Sequence, residues 1–172
     1  MRKDPMKNIV LTGMPGAGKS TVGVILAKVL GMSFIDTDLV IQERTGLHLQ
    51  EIIDRDGPLE FMRIEEAAVL SLACRNTVIA TGGSVVLSPP AMEHLKANGT
   101  VVYLKVPYEE IEKRLGTIAG RGIVLLSDQT LLTMYNGRVP LYEKYADLMI
   151  DCADRDFESV VQILLCHMDL PG

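Results

Sequence analysis

Short apolar runs and amphipathic stretches alternate along the whole chain. Asn8–Thr12, Thr77–Thr81 and Thr100–Val106 are runs rich in Val, Ile, Leu and Thr, and Ser33–Asp36 and Leu148–Asp151 are shorter runs with an apolar centre. Such runs read as strands buried on both faces. Between them the apolar period lengthens to that of a helix. Lys19–Leu30 places Val22, Ile25, Leu26, Val29 and Leu30 on one face, and Gly31 is a fitting helix stop. Asp38–Arg44 and Leu49–Asp54 read as short helices around Gly46, and Leu59–Cys74 as a longer one. Pro90–Ala97, Tyr108–Leu115, Gln129–Asn136, Leu141–Tyr145 and Phe157–Met168 complete the helices. Gly116–Asp128 carries Gly116, Gly120 and Gly122 and reads as a mobile loop. Continuous apolar strands alternating with helices predict a parallel sheet covered on both faces. With no linker, repeat or low-complexity tract, the expectation is one α/β domain over 1–172. It has three α/β/α layers and about five parallel strands.

Composition narrows the function classes. The chain has 172 residues, 17 basic and 22 acidic, for a formal net charge of −5. An acidic chain is poorly suited to gripping a phosphate backbone, so no nucleic acid partner is expected. Tryptophan is absent and aromatics are 5%, which argues against a base-stacking surface. Cys74, Cys152 and Cys166 form no CxxC pair, and His48, His94 and His167 form no cluster. Zinc is therefore not expected, and the odd thiol count suits a reducing compartment. No apolar run approaches the roughly 18 residues of a membrane helix. These points lead to the expectation of a soluble cytoplasmic protein with no membrane partner, and a monomer is the default expectation.

The most informative stretch is Gly13-Met-Pro-Gly16-Ala17-Gly18-Lys19-Ser20-Thr21. It fits G-x-x-x-x-G-K-[ST] between a strand and a helix, where a phosphate-binding loop must lie. Glycines let successive backbone N–H groups curl around one anion, and the following helix adds its positive end. Lys19 reaches the β- and γ-phosphates, and the Ser20 hydroxyl suits Mg²⁺. The expected ligands are therefore ATP and Mg²⁺. Asp36-Thr-Asp38 follows the second strand, at the sheet rim where open α/β sheets bind ligands. One carboxylate can serve Mg²⁺ and the other can take a proton from an attacking hydroxyl; helix capping is the plain alternative for Asp38. Thr81-Gly82-Gly83 follows the third strand and leaves bare backbone for a small substrate, or is an ordinary turn. Arg138-Val-Pro140-Leu-Tyr142 places an arginine before a helix, either facing solvent or gripping an anion.

Together these residues resemble the shikimate kinase family of small P-loop kinases. The resemblance runs through the phosphate loop, Phe34-Ile-Asp36-Thr-Asp38, Thr45-Gly46, Phe61 with Glu65, Thr81–Gly83, Arg138–Tyr142 and Tyr145-Ala146-Asp147. It implies a P-loop kinase fold with a mobile lid, here over 116–128. It also implies transfer of the ATP γ-phosphoryl group to a ring hydroxyl of shikimate, a small carboxylate. By the same resemblance, Lys19, Asp38 and Arg121 are catalytic, and Ser20 and Asp36 hold the metal. The nucleotide falls to Gly13, Gly16, Ala17, Gly18, Lys19, Ser20 and Thr21, with the lid Arg121. Arg114 and Arg155 resemble arginines that sandwich adenine. The acceptor falls to Asp38, Gly82, Gly83 and Arg138.

The chain departs from the family pattern in three places. The family motif Phe-Arg-x-x-Glu reads Phe61-Met62-Arg63-Ile64-Glu65, so Met62 replaces an acceptor-clamping arginine. Arg63 is the next residue, but successive helical positions point about 100° apart. Ser84 replaces a third glycine, and Gly122 replaces a proline after Arg121, which implies a looser lid. Losing one partner of a buried charged pair costs about 2–5 kcal/mol. Two alternatives stay open: a kinase of this fold for a less anionic polyol or sugar acid, and an ATP-binding regulatory protein without transfer activity.

Overall fold

A computed structural model describes residues 7–116 and 122–168. The elements follow in the order β1 (Asn8–Thr12), α1 (Lys19–Leu30), β2 (Ser33–Asp36), α2 (Thr37–Thr45), α3 (Leu49–Asp56), α4 (Pro58–Leu70) and β3 (Thr77–Ala80). Then come a 3₁₀ turn (Val85–Leu87), α5 (Pro89–Ala97), β4 (Gly99–Lys105), α6 (Tyr108–Gly116), α7 (Leu131–Tyr145), β5 (Leu148–Asp151) and α8 (Phe157–His167). The five strands form one parallel sheet in the order β2-β3-β1-β4-β5. Among the described residues, no helix is long and apolar enough to cross a membrane.

Alternation along the central strands builds the layers. Ile9 and Leu11 of β1 join Val22 and Leu26 of α1 and Leu164 of α8 on one face. Val10 points the other way, to Met92 and Leu95 of α5. A third apolar cluster, Ile41, Ile52, Phe61, Ala68 and Val124, ties α2, α3 and α4 to the segment after residue 121. This side lobe stands beside the C-terminal ends of β2 and β3. The chain leaves β1 for β2 on one side of the sheet and later passes from β3 to β4 on the other. The carboxyl ends of the strands therefore flank the crevice that such a reversal opens.

Two expected boundaries differ. The stretches Gln129–Asn136 and Leu141–Tyr145 are one helix, α7, with Pro140 inside it. Arg138 therefore sits within a helix rather than before one. Proline removes one helical hydrogen bond and crowds the carbonyl four residues back, but burial of Met134, Arg138 and Tyr142 along one face holds the helix together. The helix expected to reach Cys74 ends at Leu70, because the chain must turn through Asn76 (φ 51°) to enter β3. Between residues 116 and 128, those from 122 onward are described and carry no helix or strand; 117–121 lie outside the described residues.

Candidate active site

The loop after β1 curls around its own lysine. Gly16 and Gly18 take left-handed φ values of 80° and 91°, which glycine adopts without a Cβ clash. Gly13 has φ 146°, and a Cβ there would lie 2.8 Å from the Leu104 carbonyl oxygen. Lys19, at the start of α1, is 8% exposed. Its Nζ donates to the carbonyls of Gly13 and Met14, both at 2.8 Å. Burial lowers its pKa to about 8; nearby Asp38 opposes the shift and Arg138 adds to it. Ala17 is buried and its N–H donates to the Met14 carbonyl, completing the loop.

The two aspartates take separate places. Asp36 ends β2, and its Oδ1 caps α2 by accepting from the Asp38 N–H at 2.9 Å. Its Oδ2 accepts from Ser20 Oγ at 2.5 Å. The helix cap expected as the plain alternative for Asp38 thus falls to Asp36. Asp38 is left to face the groove, and burial, then Asp36, raises its pKa to about 6 against the pull of Lys19. Ser20 and Asp36 offer a hydroxyl and a carboxylate side by side. That pair of hard oxygen donors fits Mg²⁺ completed by water and phosphate oxygens. Among the described residues, no group of three or more His, Cys, Asp or Glu could hold a metal unaided.

The turn after β3 abuts this loop. A Cβ on Gly83 would fall 2.7 Å from Pro15 Cδ, and one on Gly82 would fall 2.3 Å from Glu65 Oε1 and 3.0 Å from Asp38 Oδ1. At Gly83 the rigid Pro15 ring makes bare backbone a steric requirement, whereas at Gly82 a Cβ would push the Glu65 and Asp38 carboxylates aside. Tyr142 donates from its hydroxyl to the Gly83 carbonyl at 2.6 Å, stacks on Tyr103, and so fixes α7 against the turn. One helical turn earlier, Arg138 is 3% exposed, and its Nη2 donates to the Val124 carbonyl at 2.7 Å. Its solvated alternative is excluded.

These pieces line one groove of about 570 Å³. Gly16, Gly18, Lys19, Ser20 and Thr21 lie along it with Asp38, Gly82 and Gly83. Arg114, Arg138 and Arg155 add positive charge. Arg114 donates to the Gly16 carbonyl at 3.0 Å and to Glu110 at 3.2 Å. Arg155 donates to the Asp151 carbonyl at 3.1 Å. Gly13, Ala17 and Asp36 are not among the residues that line the groove. Arg121 lies outside the described residues.

Phe157 and Ser84 are among the groove-lining groups not singled out from sequence as site residues. Phe157, at the start of α8, lies over Gly18, where a Cβ would meet its ring at 2.5 Å. A lone aromatic after a loop carries no sequence signal of such a place. Ser84, noted from sequence only as a departure, is 5% exposed and donates to Glu65 Oε2 at 2.5 Å. Arg63 does not turn inward: its side chain is 81% exposed and pairs with Glu60 at 3.2 Å. Met62 packs against the apolar cluster of the side lobe. The Gly122 N–H donates to Gln50 Oε1 at 3.2 Å, and a Cβ on Gly122 would meet Leu49.

A family model described as shikimate kinase matches residues 15–168. The chain belongs to the shikimate kinase family. It is 36% identical to the shikimate kinase of Caldanaerobacter subterraneus over 97% of this chain and 99% of that one. It is 37% identical to that of Thiobacillus denitrificans over 95% and 91%. The crystallised shikimate kinase of Acinetobacter baumannii, in complex with shikimate, superposes with a TM-score of 0.87 at 33% identity, covering 95% of this chain and 94% of that one. Membership makes this an ATP-dependent kinase that phosphorylates a hydroxyl group.

Proposed function

We propose that the groove transfers the γ-phosphoryl group of ATP to a ring hydroxyl of shikimate. The observation that carries this reading is convergence. A complete phosphate loop, a raised-pKa aspartate (Asp38) and a buried arginine (Arg138) line one small groove. The backbone N–H groups of the loop and Lys19 hold the phosphates, with Lys19 exchanging its two carbonyl partners for phosphate oxygens. Ser20 and Asp36 would hold Mg²⁺, which neutralises phosphate charge when bound. Arg114, Arg155 and Phe157 flank the outer end, where a purine stacks on guanidinium or ring.

At the inner end, Arg138 pairs with the acceptor carboxylate, and Gly82 and Gly83 let the ring approach the backbone. Asp38 Oδ1 accepts a hydrogen bond from the attacking hydroxyl and takes its proton as the new P–O bond forms. Arg121, assigned by family resemblance, adds positive charge to the moving phosphoryl group. One chain supplies every part, so a monomer suffices.

Phosphorus NMR of ATP, Mg²⁺ and shikimate with purified protein tests the reading. The expected result is ADP and a phosphomonoester of shikimate in equal amounts. ATP binding without a phosphomonoester would overturn it.

A further inference from the structure

One group at the acceptor end has no part in this mechanism: the Glu65 carboxyl. It projects from α4 into the groove wall and is 2% exposed. Oε2 accepts from Ser84 Oγ at 2.5 Å. Oε1 is buried and has no hydrogen-bond partner among the described residues. The charged and titratable groups facing it are Lys19 from α1, Asp38 from α2, and Arg138 and Tyr142 from α7. Both cations have other duties, Lys19 at the phosphates and Arg138 at Val124 and the acceptor. Its own helix sends no cation inward, because Met62 packs into the apolar lobe and Arg63 points to solvent.

An anionic acceptor adds a negative charge to a space that already holds Asp38 and Glu65. A buried carboxylate without a counter-ion is costly and neutralises instead. We propose that Glu65 determines acceptor specificity through its charge. It binds an anionic acceptor only as a neutral carboxylic acid, so a proton from solvent does the work of a second buried cation. The proton sits on Oε1, the oxygen without a partner, and Oε2 keeps the Ser84 bond. No bond to the acceptor is made or broken, so Glu65 is a specificity residue and not a catalytic one. Burial, opposed by the Ser84 bond, raises its pKa to about 7, within reach of ordinary solution conditions.

The inference rests on the reading of shikimate as acceptor. The test is the apparent KM at saturating ATP across about pH 6 to 8.5, for shikimate and for its uncharged methyl ester. Wild type should show a KM for shikimate that rises up to roughly tenfold per pH unit above about 7, and a flat KM for the ester. Glu65→Gln should abolish the rise. Ser84→Ala, which removes the bond favouring the charged form, should move its onset to higher pH, and this variant decides the matter if Glu65→Gln does not fold. A flat KM for shikimate in wild type, a rise kept in Glu65→Gln, or an unmoved onset in Ser84→Ala would each overturn the inference. Turnover of shikimate with a flat KM overturns this inference alone. No turnover at any pH overturns the acceptor reading with it.

Discussion

At the residue scale, Glu65 trades stability for its place. Its folded pKa of about 7 exceeds the ordinary 4.5, so the unfolded chain gives up this proton first. The native state then binds more protons, and stability falls as pH rises from about 4.5 to about 7. The loss is on the order of 3 kcal/mol for so buried a group. Urea denaturation at the two ends of that window should show wild type losing this amount relative to Glu65→Gln. Equal pH dependence of the two proteins would place the charge elsewhere. Asp38→Asn keeps the shape of the acceptor end but removes the proton acceptor. It should lower kcat by about 10²–10⁴ while ATP affinity stays within a few-fold, read by single-turnover assay and ATP titration. The phosphate loop and the pair Asp36 and Asp38 were legible because their spacing is local. The Ser84–Glu65 bond and the Phe157–Gly18 contact join distant parts of the chain, and nothing in the local sequence announces either.

At the element scale, local rules succeeded where the chain obeys them. The central strands β1, β3 and β4 were readable from their apolar runs, and α1 from its amphipathic face and the Gly31 stop, which has φ 66°. Burial on both faces fails at β2 and β5, which lie at the sheet edges and are only partly covered. Pro140 made α7 look like two helices, since local propensity counts against proline and cannot see the buried face that holds the helix together. The segment after residue 121 also departs from a local expectation. Glycine in place of proline suggested looseness, yet Gly122 has φ 62° and donates its N–H to Gln50. Proline could do neither. A Cβ there would also meet Leu49 Cβ at 2.4 Å. Gly122→Ala should therefore displace this end of the lid, lowering kcat several-fold with little change in melting temperature, since the contact is peripheral. A large drop in melting temperature with unchanged kcat would make the contact structural instead.

At the scale of the whole molecule, a chain of net charge −5 gathers Lys19, Arg114, Arg138 and Arg155 along one groove. Asp38, Glu65, Asp156 and Glu158 line the same groove, so its positive charges are local rather than a net surplus. Binding there must stabilise the fold by mass action. ATP at about 100 times its Kd adds roughly 2.7 kcal/mol, a shift of about 5–10 °C in Tm for a chain of this size. Lys19→Ala should erase most of that shift in a thermal melt with and without ATP. The apolar side lobe against which Met62 packs also carries Val124, whose carbonyl holds Arg138. Arg138 and the segment at Val124 are thus tied to the same lobe. The most direct test of the whole account is kcat/KM, by ADP release, across shikimate, gluconate and neutral polyols. Shikimate should exceed every other acceptor by at least about tenfold. Stimulation by a neutral polyol with none by shikimate would contradict the account.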